Sequence, residues 1–373
     1  MLIIWILSLT SLILYSLKLI QYHTGWNRIT EFESVDFPDK IFVSIIVPVR
    51  NEEGYINELL KDLSKQDYPE QQFEVILVND HSEDLTAQII QPFCSDNNNF
   101  RLIHLSGQFY GKKAAINAGI ENSTGEIIVT TDADCRVGNR WISTITSYYL
   151  HCNKPGMIIG LVDMMSADSV FYKFQQFEFV SLVASSAGAA GMSHPVFCNG
   201  ANLIYKRELY FRYANPLNVK SVSGDDTLFM LKVKKDFRRE IKLLKSKKAI
   251  VYTNPQLTLR DFIQQRIRWT SKGKYYKDFD IISLAIIVLV LNASILGSFV
   301  LLFVSGNYLL CPLLFCAKTL IDYIFINKIL AFFNKKKLIK YLVLFQVIYP
   351  FYISIIGISG NIIGYKWKER EIR

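Results

Sequence analysis

Apolar residues run almost without a break from Met1 to Ile20 and return in long runs beyond Asp280, whereas the chain between carries short apolar bursts separated by polar turns. At about 1.5 Å per residue the first run is long enough to cross the ~30 Å hydrocarbon core of a bilayer. It has no basic leading region and no Ala-x-Ala-like cleavage site, so it predicts a retained signal anchor over residues 1–22. Ile281–Val304, Tyr308–Phe333 and Tyr341–Gly364, the last interrupted by Pro350, predict about three further membrane segments within 281–365, followed by a basic tail at 366–373. Lys18, His23 and Arg28 follow the first span, and Lys335-Lys336-Lys337 separates the last two. The positive-inside rule then places the intervening domain in the cytoplasm, as in a multi-pass protein of the cell (inner) membrane. Three spans after Asp280 would carry the basic tail outside, so the last segment re-enters the membrane or the rule fails locally.

The short bursts read differently. Ile41–Val49, Phe73–Val78, Arg101–Leu105 and Ile127–Thr131 have the composition of buried strands, and helical patterns follow through Leu63, over Leu85–Ile90 and from Gly111 to Ile120. Strands alternating with helices predict an α/β domain over 41–255 with a parallel, doubly wound sheet. Such sheets bind ligands outside the carboxyl ends of their strands, where Asp80, Asp132 and Asp134 fall. On an extended backbone residues two apart share a side, so Asp132 and Asp134 can face one Mg²⁺ or Mn²⁺ ion that also holds phosphates. Each acid also has an ordinary explanation. Asp80 can cap the following helix, Glu52 can favour a helix dipole, and Lys112 after Gly111 can be a solvated helix start. Gly111-Lys112 lacks the upstream glycine and the following Ser/Thr of a Walker loop, which argues against P-loop nucleotide hydrolysis.

Further along, Gly200-Ala201-Asn202 forms a polar turn before the apolar Leu203-Ile204-Tyr205. Ser223-Gly224-Asp225-Asp226 opens a helix, either as a cap or with one acid as a general base. Residues 256–280 predict an amphipathic segment at the bilayer interface that carries Gln265-Arg266-Ile267-Arg268-Trp269. Lys318 and Asp322, four apart inside a span, are placed to pair or to line a polar passage. The formal net charge of +9 could suggest nucleic acid, but the basic residues cluster beside apolar segments, so an anionic bilayer is the simpler partner. Six cysteines without a CxxC pair or a Cys/His metal spacing read as reduced thiols.

Taken in order, Val47-Pro48-Val49-Arg50-Asn51-Glu52, Val78-Asn79-Asp80-His81-Ser82-Glu83-Asp84, Gly111-Lys112 with Asn117, Thr131-Asp132-Ala133-Asp134, Gly200-Ala201-Asn202, Gly224-Asp225-Asp226 and Gln265-Arg266-Ile267-Arg268-Trp269 resemble a membrane-bound family 2 glycosyltransferase. The resemblance spans about Val43 to Gly273. It is to the D,D,D,QxxRW type, which is similar to polysaccharide synthases and to ceramide-glucosyltransferase-like enzymes. It implies a GT-A nucleotide-sugar-binding domain, a Rossmann-like mixed sheet flanked by transmembrane helices.

It also implies inverting hexosyl transfer from a nucleotide sugar, most often a UDP-sugar. Glu52 and Asp80 match positions that hold base and ribose, and Lys112 matches one near the diphosphate. Asp132 and Asp134 match the DxD pair that binds the metal, Mg²⁺ or Mn²⁺. Asp226 matches the catalytic base. Gly200, Asn202, Asp225, Gln265, Arg268 and Trp269 match the acceptor and diphosphate region. Asp225 replaces the more usual Glu, Asn79 stands where many members carry Asp, and Leu228 stands where an acid is usual. The acceptor is then a membrane lipid, a lipid-linked saccharide or a growing polysaccharide of the cell envelope. A processive exopolysaccharide synthase, with polysaccharide-export partner proteins, is the alternative. A membrane-anchored nucleotide-sugar-binding scaffold without catalysis is a reading of a different class.

Overall fold

The structure is a computed structural model that describes residues 2–35, 40–107, 109–213, 225–304, 308–362, 365–367 and 370–372. In chain order its helices are α1 (Leu2–Arg28), α2 (Ile56–Ser64), α3 (Thr86–Asp96), α4 (Lys112–Glu121), α5 (Trp141–His151), α6 (Val170–Gly191), α7 (Arg207–Arg212), α8 (Asp225–Phe237), α9 (Leu259–Thr270), α10 (Phe279–Val304), α11 (Leu310–Phe332) and α12 (Leu342–Ile362). The strands are β1 (Val43–Val49), β2 (Phe73–Asn79), β3 (Phe100–His104), β4 (Ile127–Thr130), β5 (Arg136–Val137), β6 (Met157–Gly160), β7 (Val162–Met164), β8 (Leu203–Lys206), β9 (Ile241–Leu244), β10 (Val251–Thr253), β11 (Tyr365–Trp367) and β12 (Arg370–Ile372). Two compact units divide the chain: 29–165 with 193–254, and 2–28 with 166–192 and 255 onward.

The first unit is built on a seven-stranded sheet in the order β3-β2-β1-β4-β8-β6-β9. Val43, Ile45, Ile46, Val47, Val75, Ile76, Leu77, Val78, Ile127, Ile128 and Val129 are buried, as expected of strands covered on both faces. β1 is parallel to β2 and β4, and β2 to β3, so their carboxyl ends share one edge of the sheet. The parallel expectation holds there and fails at β8, which runs antiparallel to β4 and β6. The sheet is therefore mixed. That reversal brings the Gly200–Asn202 turn, which precedes β8, to the carboxyl end of β4, because Thr130 pairs with Leu203.

At the opposite end, Glu74 at the start of β2 accepts from Ser44 at 2.7 Å, from the Thr124 backbone at 2.7 Å and from Arg101 at 2.6 Å. Burial pushes its carboxyl pKa up, but these donors outweigh burial and leave it below its ordinary value. A second, three-stranded sheet places β10 between β5 and β7.

The other unit takes in a segment from within the domain read from the sequence. The domain expected over 41–255 is interrupted, because the 22-residue α6 groups with the apolar helices. Its alanines, serines and glycines permit close helix packing: a Cβ at Gly188 would collide with the Tyr22 backbone, and one at Gly191 with the backbone of Gly25. The anchor expected over 1–22 continues as one helix to Arg28, where Trp26 meets Phe332 edge-on with ring centroids 5.3 Å apart. Among the described residues, four helices are long and apolar enough to cross a membrane: Ile3–Arg28, Phe279–Val304, Leu310–Phe332 and Lys336–Gly357. Lys318 and Asp322 do pair, at 2.7 Å, and Gln346 and Tyr15 complete the network at 2.6 Å and 2.5 Å. Polar groups from α1, α11 and α12 satisfy one another there, as a polar cluster in apolar surroundings requires. Tyr365–Trp367 and Arg370–Ile372, which include part of the basic tail expected at 366–373, pair in antiparallel fashion.

Candidate active site

Three loops at the carboxyl edge of the sheet interlock before any ligand is considered. Arg50, the first residue after β1, is buried, and its Nη1 donates to the carbonyls of Asp80 and His81, both at 2.8 Å. The Glu52 backbone N–H donates to Thr86 Oγ1 at 2.7 Å, and the Glu83 N–H donates to Asn51 Oδ1 at 2.9 Å. Asn51 and His81 both take left-handed φ values, 50° and 54°, which turn the two loops toward each other. Asp80 is buried: Oδ2 accepts from the Gly111 N–H at 2.9 Å, and Oδ1 lies 3.3 Å from His81 Nδ1. Gly111, at φ 92°, opens α4, and the next residue, Lys112, forms an ion pair with Asp132.

The acidic pair does not sit on a strand. β4 stops at Thr130, and Asp132 to Cys135 form a turn closed by the Cys135 N–H on the Asp132 carbonyl at 3.1 Å. The sequence pattern ran the strand one residue further, to Thr131, whose N–H makes the last ladder bond to the Ile46 carbonyl at 3.3 Å before the chain turns at Asp132. Both carboxyl groups are partly exposed on this turn, and Asn254 Nδ2 holds the Asp134 carbonyl at 3.1 Å. The thiol of Cys135 beside them is pushed well up by burial and by the charges of Asp134 and Asp132, so it remains protonated and offers no thiolate.

Thr130 Oγ1 then donates to the Gly200 carbonyl at 2.6 Å, joining the end of β4 to the turn before β8. The Gly200 N–H donates to Asp226 Oδ2 at 2.8 Å, and the Thr227 N–H donates to Oδ1 at 2.8 Å. Asp226 is thereby oriented by two backbone donors. Asn202 turns the other way. It is fully buried, with Nδ2 donating to Leu161 and Ala249 carbonyls at 2.8 and 2.9 Å and Oδ1 accepting from Trp141 Nε1 at 3.2 Å. Its amide is engaged inside the domain, which supports a bracing role in place of the binding role expected of it. Ser223, Gly224 and the side chain of Asp225 lie outside the described residues.

Asp80, Gly111, Lys112, Asp132, Thr130, Gly200 and Asp226 thus form a run of contacts along one sheet edge. Gln265, Arg268 and Trp269 lie on α9 in the other unit. Arg50 stands in the Val47–Glu52 motif but carries no role of its own in the sequence, and nothing there marks Thr130.

The mixed sheet with acids at its carboxyl edge has the GT-A fold, in a chain whose described residues include four helices long and apolar enough to cross a membrane. Residues 44–212, the stretch that holds Asp80, Lys112, Asp132 and Asp134, match the family described as "Glycosyl transferase family 2". Among curated proteins, the chain is 36% identical over 101 residues to glycosyltransferase AglE of Haloferax volcanii, covering 27% of this chain and 33% of that one. It is 36% identical over 99 residues to beta-monoglucosyldiacylglycerol synthase of Nostoc sp., covering 26% of this chain and 21% of that one. The matched stretches therefore span a third or less of those relatives. The mannosyltransferase PcManGT from Pyrobaculum calidifontis, solved with GDP-Man and Mn²⁺, shares the fold: TM-score 0.60 at 17% identity, over 93% of this chain and 99% of that one.

A divalent cation fits the residues present. Among the described residues no three His, Cys, Asp or Glu side chains gather into a metal cage. Two partly exposed carboxyl groups on one turn match an ion that takes its other ligands from phosphate and water.

Proposed function

We propose that the chain is an inverting glycosyltransferase of the inner membrane. It moves a sugar from a nucleotide sugar, a UDP-sugar in the first instance, to a membrane lipid or lipid-linked saccharide at the cytoplasmic face. The observation that carries this reading is the run of contacts from Asp80 to Asp226 along the carboxyl edge of the sheet. It sets a basic side chain and the DxD acids beside a carboxyl group fixed by two backbone N–H donors.

In the proposed reaction the acceptor oxygen attacks the anomeric carbon as the bond from that carbon to the diphosphate breaks, and the nucleoside diphosphate leaves with the bonding pair. Asp226 takes the acceptor's proton, with its carboxyl group already oriented by Gly200 and Thr227. Lys112 supplies positive charge near the diphosphate. Asp132 and Asp134 would hold Mg²⁺ or Mn²⁺, which when bound offsets charge on the leaving group. Glu52, which is partly exposed, and Asp80, whose oxygens also hold the Gly111 N–H and face His81, are the acids assigned to the nucleoside. Gln265, Arg268 and Trp269 serve the diphosphate and the acceptor.

The test uses the full chain in lipid nanodiscs with labelled UDP- and GDP-sugars, lipid extracts as acceptors and Mn²⁺ or Mg²⁺. Asp226→Asn should lower turnover by roughly 10²–10⁴-fold while leaving donor binding intact. A wild type as inactive as Asp226→Asn across the whole panel would favour the scaffold reading. Product length separates single addition from processive synthesis.

A further inference from the structure

One charged pair that the reaction does not use lies inside the unit of membrane helices, against the Gln265–Trp269 stretch. Arg266 and Glu178 have side chains only 2% and 5% exposed, and they meet as a fork: Nε to Oε1 at 3.1 Å and Nη2 to Oε2 at 2.5 Å. Tyr352 donates a third hydrogen bond, to Glu178 Oε1 at 3.0 Å. The remaining guanidinium nitrogen, Nη1, donates to Gln265 Oε1. The guanidinium plane lies over the Trp269 ring at 4.3 Å and over Phe262 at 4.5 Å. Phe179, the residue after Glu178, packs against Trp269 with ring centroids 6.3 Å apart.

Arginine suits this place where lysine does not. A planar fork can bind a carboxylate with one edge, an amide with its free nitrogen and an aromatic ring with its face, whereas an ammonium is a point charge. A buried ion pair is seldom a gain in stability over well-packed apolar residues, so retaining one at this position calls for another use.

We propose, resting on the transferase reading above, that Glu178 and Arg266 are a positioning pair. They fix the side chains of Gln265 and Trp269, the first and last residues of the QxxRW motif, in the orientation that transfer requires. Neither Glu178 nor Arg266 is a catalytic residue in this scheme. Each acts through the motif.

Arg266→Lys tests it, because lysine keeps the charge opposite Glu178 but cannot reach Gln265 or stack flat on Trp269. The chain has five tryptophans, so Trp269 emission is isolated by subtracting the Trp269→Phe spectrum in each background. Three results are expected of the full chain in nanodiscs: Trp269 becomes at least twofold more accessible to acrylamide, kcat falls at least tenfold, and donor KM stays within threefold. Adding Arg266→Lys to Gln265→Ala should cost less than a further twofold, since both changes remove one arrangement. Unchanged Trp269 quenching, or losses that multiply in the double variant, would overturn the proposal and leave the pair as fold support.

If Arg266→Lys does not fold, Tyr352→Phe removes only one hydrogen bond to Glu178. It should raise Trp269 quenching in the same direction and lower kcat two- to fivefold, and no change in either measurement overturns the proposal. A wild type that transfers no sugar sinks the transferase reading, while the Trp269 measurements still decide whether the pair orients the motif.

Discussion

Asn202→Ala separates a bracing role from a binding role at the Gly200–Asn202 turn. The wild-type side chain is fully buried and makes three hydrogen bonds, two donated to the carbonyls of Leu161 and Ala249 and one accepted from the Trp141 indole. The Leu161 carbonyl keeps a second partner, the Val251 N–H at 3.1 Å, so truncation newly strands the Ala249 carbonyl and the Trp141 N–H. A buried group left without its partner costs about 1–3 kcal/mol, so the sum is about 2–6 kcal/mol. That compares with about 5–15 kcal/mol for the whole stability of a typical domain. Gly160→Ala should act in the same direction, because a Cβ at Gly160 would collide with the Asn202 amide. Thermal melting of the full chain in one detergent, with hydrogen exchange followed over residues 141–164 and 247–253, reads both variants. A change below about 1 kcal/mol, with exchange in those segments unaltered, would show that the amide does not brace the sheet. If donor affinity then fell instead, the binding role would be restored.

Other expectations concern the rest of the molecule. Lys318→Met should destabilise the unit of apolar helices by about 3–5 kcal/mol by leaving Asp322 buried without its cation, and Lys318→Met with Asp322→Leu should recover part of that loss in a melt in the same detergent. Asp132→Asn and Asp134→Asn should each raise the Mn²⁺ concentration for half-maximal turnover at least about tenfold, whereas Asp226→Asn should leave donor binding by titration unchanged. Glu74 has a carboxyl pKa lowered in the folded state, so it contributes stability above the unfolded pKa, which is lost as the pH falls through the folded one. Glu74→Gln should therefore lower the melting temperature at pH 7 and flatten its decline below about pH 5; an acid limb as steep as wild type would refute that assignment.

The core strands could be read from the sequence because each is a continuous apolar burst, and their carboxyl ends then located Asp80 and the DxD acids. The reversal at β8 could not, since Leu203-Ile204-Tyr205 looks the same in either direction; its antiparallel pairing with β4 and β6 shows it. The destination of α6 was equally hidden. Its small residues give no strong polar stripe, and its fit against α1 depends on backbones touching at Gly188 and Tyr22. The setting of Asn202 is hidden for a related reason. A polar residue in a glycine-centred turn has the same sequence signature whether its amide faces a ligand or braces three neighbours inside the core.

The two acidic ends of the site differ in how easily they can be rearranged, and that difference bears on their roles. Lys112 and Asp132 form an ion pair whose side chains are 30% and 32% exposed. A partly exposed pair of that kind contributes about 0–1 kcal/mol by itself, which is little to set against the binding of a cation and a diphosphate. Under the proposed function Asp132 would then help hold the cation, and Lys112 would be left to face phosphate oxygens. Asp226 has no such latitude. Its two oxygens are held by the N–H groups of Gly200 and Thr227, and the Gly200 carbonyl is in turn tied to Thr130 at the end of the β4 strand. A base must meet the acceptor hydroxyl at hydrogen-bond distance, and fixed donors secure that geometry without reorganisation when the proton moves. The donor end can therefore adapt to its ligand, while the acceptor end is set by the backbone. A substitution at Lys112 should accordingly appear mainly in donor KM and one at Asp226 mainly in kcat.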